Sequence, residues 1–322
     1  MKIALTGIKP SGAPHLGNYL GMIRPALQLR SAYRCLYFIA DYHALTTLHD
    51  GAALRGFTDE LAAAWLALGL DPEQDLLYRQ SDVPEVMELA WILCCFTGKG
   101  LLDRAHAYKD AVAHQKEVSA GLYVYPVLMA ADILAFGADV VPVGRDQKQH
   151  LEMCRDIALR FNHVYGADLL QIPGPLIQEE VETIPGLDGR KMSKSYGNTI
   201  PLFAPAAALR KLVMRIATDS TPVEAPKDPA AAAVFQLYRH LVGAAAAEPL
   251  AARLRAGGIG WAVAKQALFD ELEAELAAPR ARYEELLRDR DRLHRILRRG
   301  GERARDLAAP RMAAIRRAVG VG

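Results

Sequence analysis

Leu5-Thr6-Gly7-Ile8-Lys9-Pro10-Ser11-Gly12-Ala13-Pro14-His15-Leu16-Gly17-Asn18 is the stretch on which the fold turns. Lys2 to Thr6 reads as a buried strand, Gly7 to Pro14 as a glycine- and proline-rich turn, and Gly17 to about Ala32 as a helix. Small residues in such a turn let a ligand approach the backbone closely, and the amide hydrogens that open a helix favour an anion. Two common phosphate loops are excluded. The stretch holds no Gly-x-Gly-x-x-Gly, and its Gly7-x4-Gly12 spacing runs on into Ala13-Pro14 rather than Lys-Ser/Thr.

Working outward, Cys35 to Ala40 reads as a second strand that ends in Asp41-Tyr42-His43, Leu54 to Leu68 as a helix, and Leu76 to Tyr78 as a third strand. A helix from Pro126 to Phe136, a strand from Asp139 to Val143 and a helix from about Asp146 to Asn162 follow. This alternation predicts an α/β fold with a doubly wound parallel sheet, whose ligands bind at the carboxyl ends of the strands. Beyond Pro201 the strand signals fade into alanine-, leucine- and arginine-rich helical periodicity. Two domains are expected: residues 1–200, with a helical insertion at about 84–120, and a C-terminal α-helical domain, 201–322.

Composition narrows the function classes. The 322 residues are 51% hydrophobic and 24% charged, which suits packed domains, and no stretch approaches the ~20 apolar residues of a membrane span. A cytoplasmic protein without membrane contact is expected. Cys35, Cys94, Cys95 and Cys154 form no Cys-x-x-Cys pair and read as buried free thiols, and none of the nine histidines sits in a metal-binding frame. A protein-bound metal is therefore not expected. Net charge is only +2, yet thirteen arginines and six acids fall between Arg280 and the end. Such a basic helical tail fits either phosphate-backbone contact or a solvated helix face.

A second string, Lys191-Met192-Ser193-Lys194-Ser195, follows Leu187-Asp188-Gly189-Arg190. Two lysines among small hydroxyl residues on a glycine-led loop can wrap a triphosphate and stabilise the charge that grows on a leaving pyrophosphate. His15-Leu16-Gly17-Asn18 resembles the His-Ile-Gly-His element of class I aminoacyl-tRNA synthetases, with Asn18 in place of the second histidine, and Lys191 to Ser195 resembles their Lys-Met-Ser-Lys-Ser loop at every position. The resemblance implies a Rossmann-like sheet of the HUP type. It also implies catalytic roles for His15, Gly17, Asn18, Lys191, Met192, Ser193, Lys194 and Ser195, and ATP contacts by Thr6, Lys9, Pro10, Ser11, Gly17, Asn18, Gly144, Arg145, Asp146, Ile184, Lys191 and Lys194.

Within that class the chain is most similar to tryptophanyl-tRNA synthetases. On a helix starting at Pro126, Met129 and Asp132 share a face, so a thioether and a carboxylate line one pocket. A carboxylate there needs a donor, and in the family the residue matching Asp132 accepts the indole N–H. Tyrosyl enzymes carry glutamine where this chain has Met129. Val141-Pro142-Val143-Gly144-Arg145-Asp146-Gln147 matches the family's pocket-and-ribose turn, and the resemblance implies tryptophan contacts by Asp132, Tyr125, Met129, Gln147, His43, Val141, Val143 and Leu5. Lys9 stands where many relatives have glutamine, Leu5 where many have phenylalanine, and Ala111 where many have lysine.

The implied activity is ATP-dependent formation of tryptophanyl-adenylate, with Mg2+ arriving on ATP, and transfer of tryptophan to the 2′-hydroxyl of the tRNA(Trp) terminal adenosine. A homodimer and anticodon contacts by the helical end are implied as well. Tyrosine specificity, a cytidylyltransferase-like enzyme and a non-catalytic paralogue that binds RNA or protein are the rival readings.

Overall fold

The structure is a computed structural model that describes residues 1–114, 117–144, 148–177 and 183–321. Its sheet contains β1 (Ile3–Ile8), β2 (Arg34–Ile39), β3 (Leu76–Arg79), β4 (Val140–Val143) and β5 (Gly174–Ile177), all parallel, in the order β3-β2-β1-β4-β5. Leu5 faces Leu36 across β1 and β2, and Leu36 faces Leu76 across β2 and β3. The chain builds outward from β1 to β3, then crosses back and builds β4 on the other side of β1. That reversal opens a crevice between the carboxyl ends of β1 and β4, the place where such sheets hold ligands.

Strand periodicity divides the core. Tyr37 and Ile39 pack with α1 (Gly51–Ala67) on one face, and Leu36, Phe38 and Ala40 pack with α2 (Pro84–Phe96), α3 (Ala120–Phe136) and α4 (Lys148–Tyr165) on the other. On the first face Tyr37 lies 4.8 Å from Trp65, ring centre to ring centre, and donates its hydroxyl to Ala26 O at 3.0 Å. Asp50 starts α1 by accepting the amides of Ala52 and Ala53 at 2.8 and 3.0 Å.

Several expectations differ from the structure. The helix carrying Met129 and Asp132 starts at Ala120 rather than Pro126: Ser119 Oγ accepts the Leu122 amide at 3.2 Å, and Pro126 lies inside the helix. Gly137, at φ 57°, ends it. The first helical segment opens at Leu16 and passes through a π-helical turn, Tyr19–Ile23, before Arg24–Gln28. β5 was not foreseen; two prolines flank or interrupt it, and Pro175 is tolerated because this is an edge strand. The thiols differ as well, since Cys95 is exposed and Cys94 half-buried.

The second half holds α5 (Ala206–Met214), α6 (Ala233–Val242), α7 (Ala244–Ala256), α8 (Trp261–Arg288) and α9 (Arg290–Val319). Leu268, Leu272 and Leu276 of α8 recur every four residues and join the same apolar cluster as Tyr37 and Trp65. Helix α9 then returns to the sheet. A β-carbon on Gly300 would lie 1.8 Å from Leu77 O, so glycine there lets the helix touch β3, and Ala304, Ala308, Met312 and Ile315 enter the core on the far face.

Many of the terminal arginines bind the chain itself. Arg299 pairs with Glu73 at 2.6 Å, Arg305 with Glu85 at 3.1 Å and Arg316 with Glu88; Arg303 donates to Pro72 O at 2.7 Å and Arg311 to Leu134 O at 3.3 Å. Much of the basic run therefore fastens α9 to the half that contains the sheet.

Candidate active site

At the carboxyl end of β1 the two motifs meet. The Gly17 amide donates to Met192 Sδ at 3.1 Å, and a β-carbon on Gly17 would lie 3.3 Å from Met192 Cβ. Gly12, at φ +125°, presents a bare backbone to Lys194, whose Nζ would stand 2.7 Å from any β-carbon there. Only glycine fits such a turn beneath such a cation. The segment after the second motif returns to the first as well: Leu16 N donates to Ile200 O at 2.8 Å and Leu202 N to Pro14 O at 3.1 Å.

His15 and Asn18 form a reciprocal cap. The Asn18 amide donates to His15 Nδ1 at 3.3 Å, and the His15 amide donates to Asn18 Oδ1 at 3.1 Å. The opening amides of this helix thus have partners within the chain, contrary to the expectation that they point at an open anion site. Burial pushes the His15 imidazole down to about 4, and the charge on Lys194 pushes the same way, so His15 is neutral at neutral pH. Burial also lowers Lys194.

The Lys191–Ser195 loop leaves a hairpin whose Asp188-Gly189 turn has φ +81° at Gly189; Gly186 N donates to Arg190 O at 2.7 Å and Met192 N to Ile184 O at 2.8 Å. Ile184 and Met192 are buried together. Asn198, which the motif reading missed, ties the loop: its Oδ1 accepts the Ser193 amide at 2.8 Å, and its Nδ2 donates to Asp188 at 2.7 Å and to Lys191 O at 3.0 Å. Ser193 and Ser195 share a hydroxyl hydrogen bond of 2.8 Å, while Lys191 is exposed.

On the far face of the sheet Asp132 is 2% exposed. Its Oδ2 takes His43 Nε2 at 2.9 Å, and Gln80 Nε2 donates to both carboxylate oxygens, at 2.8 and 3.0 Å. Burial pushes this carboxyl up, and the bonds from His43 and Gln80 pull it back. The donors that Asp132 needs are therefore already supplied in part by protein. Gln80 was also missed; a polar residue directly after a strand's carboxyl end was its one sequence signal.

Tyr125 and His43 stand edge to face with ring centres 6.2 Å apart, and the Tyr125 hydroxyl bonds His150. Burial raises Tyr125 to about 12. Met129 is half-buried against the cluster that holds Val141 and Leu5; Leu5, at 1% exposure, is core. Lys9 reaches Thr46 Oγ1 at 3.0 Å, and that hydroxyl donates to His43 O at 2.8 Å, so two hydrogen bonds join the turn after β1 to the segment that carries His43. Thr6 and Pro10 are buried, Ser11 and Gly144 exposed. Arg145, Asp146 and Gln147, and the side chain of Val143, lie outside the described residues. Among the described residues no cluster of His, Cys, Asp or Glu could hold a metal ion, and no helix is long and apolar enough to cross a membrane.

Lys194 over Gly12 and the buried Asp132 carboxylate thus lie at the carboxyl ends of neighbouring elements of one sheet. The profile of the family described as tRNA synthetases class I (W and Y) matches residues 2–277, and the chain belongs to that family. Within it, relatives at 50% identity or more include tryptophan enzymes. The chain is 54% identical over 329 residues to the tryptophan–tRNA ligase of Xanthomonas campestris pv. campestris, covering 98% of this chain and 76% of that protein. It is 50% identical to that of Xylella fastidiosa strain Temecula1, over 98% and 75%. The tryptophanyl-tRNA synthetase of Campylobacter jejuni, solved with ADP and tryptophan, superposes with a TM-score of 0.91 at 43% identity, covering 99% of this chain and all (100%) of that one.

Proposed function

We propose that the chain is a tryptophan–tRNA ligase whose crevice holds ATP against the His15–Asn18 and Lys191–Ser195 motifs and tryptophan against Asp132. The observation that carries this is the junction of the two motifs at Gly17–Met192 and Gly12–Lys194, beside the carboxyl end of β1. The tryptophan carboxylate attacks the α-phosphorus of ATP; a bond forms between a carboxylate oxygen and that phosphorus, and the bond from the phosphorus to the bridging oxygen breaks, so that pyrophosphate leaves. The carboxylate needs no general base, so positioning and charge neutralisation supply the acceleration. Lys191 and Lys194 neutralise the departing pyrophosphate, and Ser193 and Ser195 donate hydroxyls to it. Neutral His15 and Asn18 exchange their mutual cap for contacts to phosphate oxygens. Mg2+ enters on ATP as part of the substrate.

In the second step the 2′-hydroxyl of the tRNA(Trp) terminal adenosine attacks the acyl carbon and AMP leaves. The helices after Pro201 serve the anticodon end of the tRNA, and the working unit is a homodimer in the cytoplasm. Support for the dimer comes from α2, where Met87, Trp91 and Cys95 recur every four residues on one exposed stripe and Trp91 is 72% exposed.

Tyrosine is disfavoured by Met129 beside Asp132. The test of the phosphate assignment is Lys194→Ala. Tryptophan-dependent pyrophosphate exchange should fall by roughly a hundredfold or more, the size typical of a lost charge-stabilising group, while equilibrium binding of tryptophan changes little. Equal losses in both would refute the role.

A further inference from the structure

Gln80 is fully buried (0% exposed) at the end of β3, and every polar atom of its side chain is engaged. Its Oε1 accepts the backbone amides of Tyr42 at 3.1 Å and His43 at 3.3 Å. Because those partners can only donate, the amide orientation is fixed, and the NH2 group must face Asp132. That group lies 2.8 Å from one carboxylate oxygen and 3.0 Å from the other. One side chain thus holds two elements: the short helix Asp41–Ala44 that carries His43, and α3, which carries Asp132.

The two donors differ in their freedom. Gln80 is enclosed and anchored at its far end. His43 is half-buried, reaches Oδ2 at 2.9 Å and stands edge to face with Tyr125. With about four acceptor positions on a carboxylate and three in use, Oδ1 retains one, and displacement of His43 opens a second on Oδ2.

We propose that Gln80 is a positioning residue for substrate selection, clamping the Asp132 carboxylate so that one acceptor direction stays open toward an N–H on the amino-acid side chain, with His43 as the exchangeable donor. Gln80 touches no substrate itself. The proposal deepens the reading of Asp132 as the tryptophan acceptor and rests on it.

The experiment compares tryptophan with its benzothienyl analogue, in which sulfur replaces the indole N–H, by pyrophosphate exchange in the unaltered enzyme, Gln80→Met and Gln80→Glu. Gln80→Glu keeps the acceptor for the Tyr42 and His43 amides but sets a second carboxylate against Asp132. The unaltered enzyme should favour tryptophan in kcat/KM, and both variants should lose at least tenfold of that preference, mainly through KM for tryptophan, with KM for ATP little changed. A preference kept in both variants, or kept in Gln80→Glu alone, overturns the proposal; the latter would show that Gln80 merely supports the backbone. No preference in the unaltered enzyme overturns the Asp132 reading and the clamp with it. A crystal structure of the unaltered enzyme with tryptophan covers the case of variants that do not fold. Gln80 Nε2 should remain bonded to Asp132 while the indole nitrogen meets the carboxylate, and a Gln80 turned away overturns the clamp.

Discussion

His15 is a helix cap, and its burial decides what it can do. Held near 4, it is neutral and serves as acceptor for the Asn18 amide; a charged imidazole could not. The sign of its effect on stability follows. Since its folded value lies below the ordinary 6.5, the unfolded chain takes the proton first, so stability should be unaffected above about pH 6.5 and fall between there and about pH 4. The loss should be on the order of 1–3 kcal/mol. His15→Asn, which keeps an acceptor but does not titrate, should flatten that part of the profile in urea unfolding at pH 7, 5.5 and 4.5; parallel profiles would show that His15 is not the titrating group. At this scale the sequence was informative wherever a motif is contiguous. His15, Gly17 and Lys194 could be singled out because neighbours in sequence identify them. Gln80 and Asn198 act through partners 52 and 10 positions away, and no local string marks them.

Among the elements, β1 through β4 and the helices between them were legible because apolar periodicity and glycine breaks report burial directly. The start of α3 was not. Proline at Pro126 mimics a first-turn residue, yet the cap at Ser119 and the apolar surface along the segment's buried face carry the helix past it; Val127, Ala130, Ala131 and Leu134 are all buried. β5 was hidden for a related reason, since a proline reads as a break unless the strand is known to lie at an edge. The arginine run illustrates how charge alone misleads. Its composition fits a nucleic-acid surface, but Glu73, Glu85 and Glu88 await several of its members on the half that contains the sheet, and the glycine at Gly300 brings α9 close enough for them to meet.

For the whole molecule, the reversal of strand order does the organising: it sets the His15–Asn18 and Lys191–Ser195 motifs on one side of β1 and Asp132 on the other, with Lys9 and Thr46 between them. The apolar stripe on α2 belongs to this scale too. If it joins two copies, Trp91→Glu should shift the protein from dimer to monomer in sedimentation velocity at micromolar concentration; an unchanged mass would place the interface elsewhere. The central claim is that the crevice between β1 and β4 activates tryptophan. Pyrophosphate exchange measured with each of the twenty amino acids tests it most directly. Exchange should require tryptophan, with phenylalanine at least about a hundredfold less effective because it leaves Asp132 without a donor, and tyrosine similarly ineffective because Met129 offers its hydroxyl no second polar partner. Comparable exchange with tyrosine, or none with tryptophan, would contradict it.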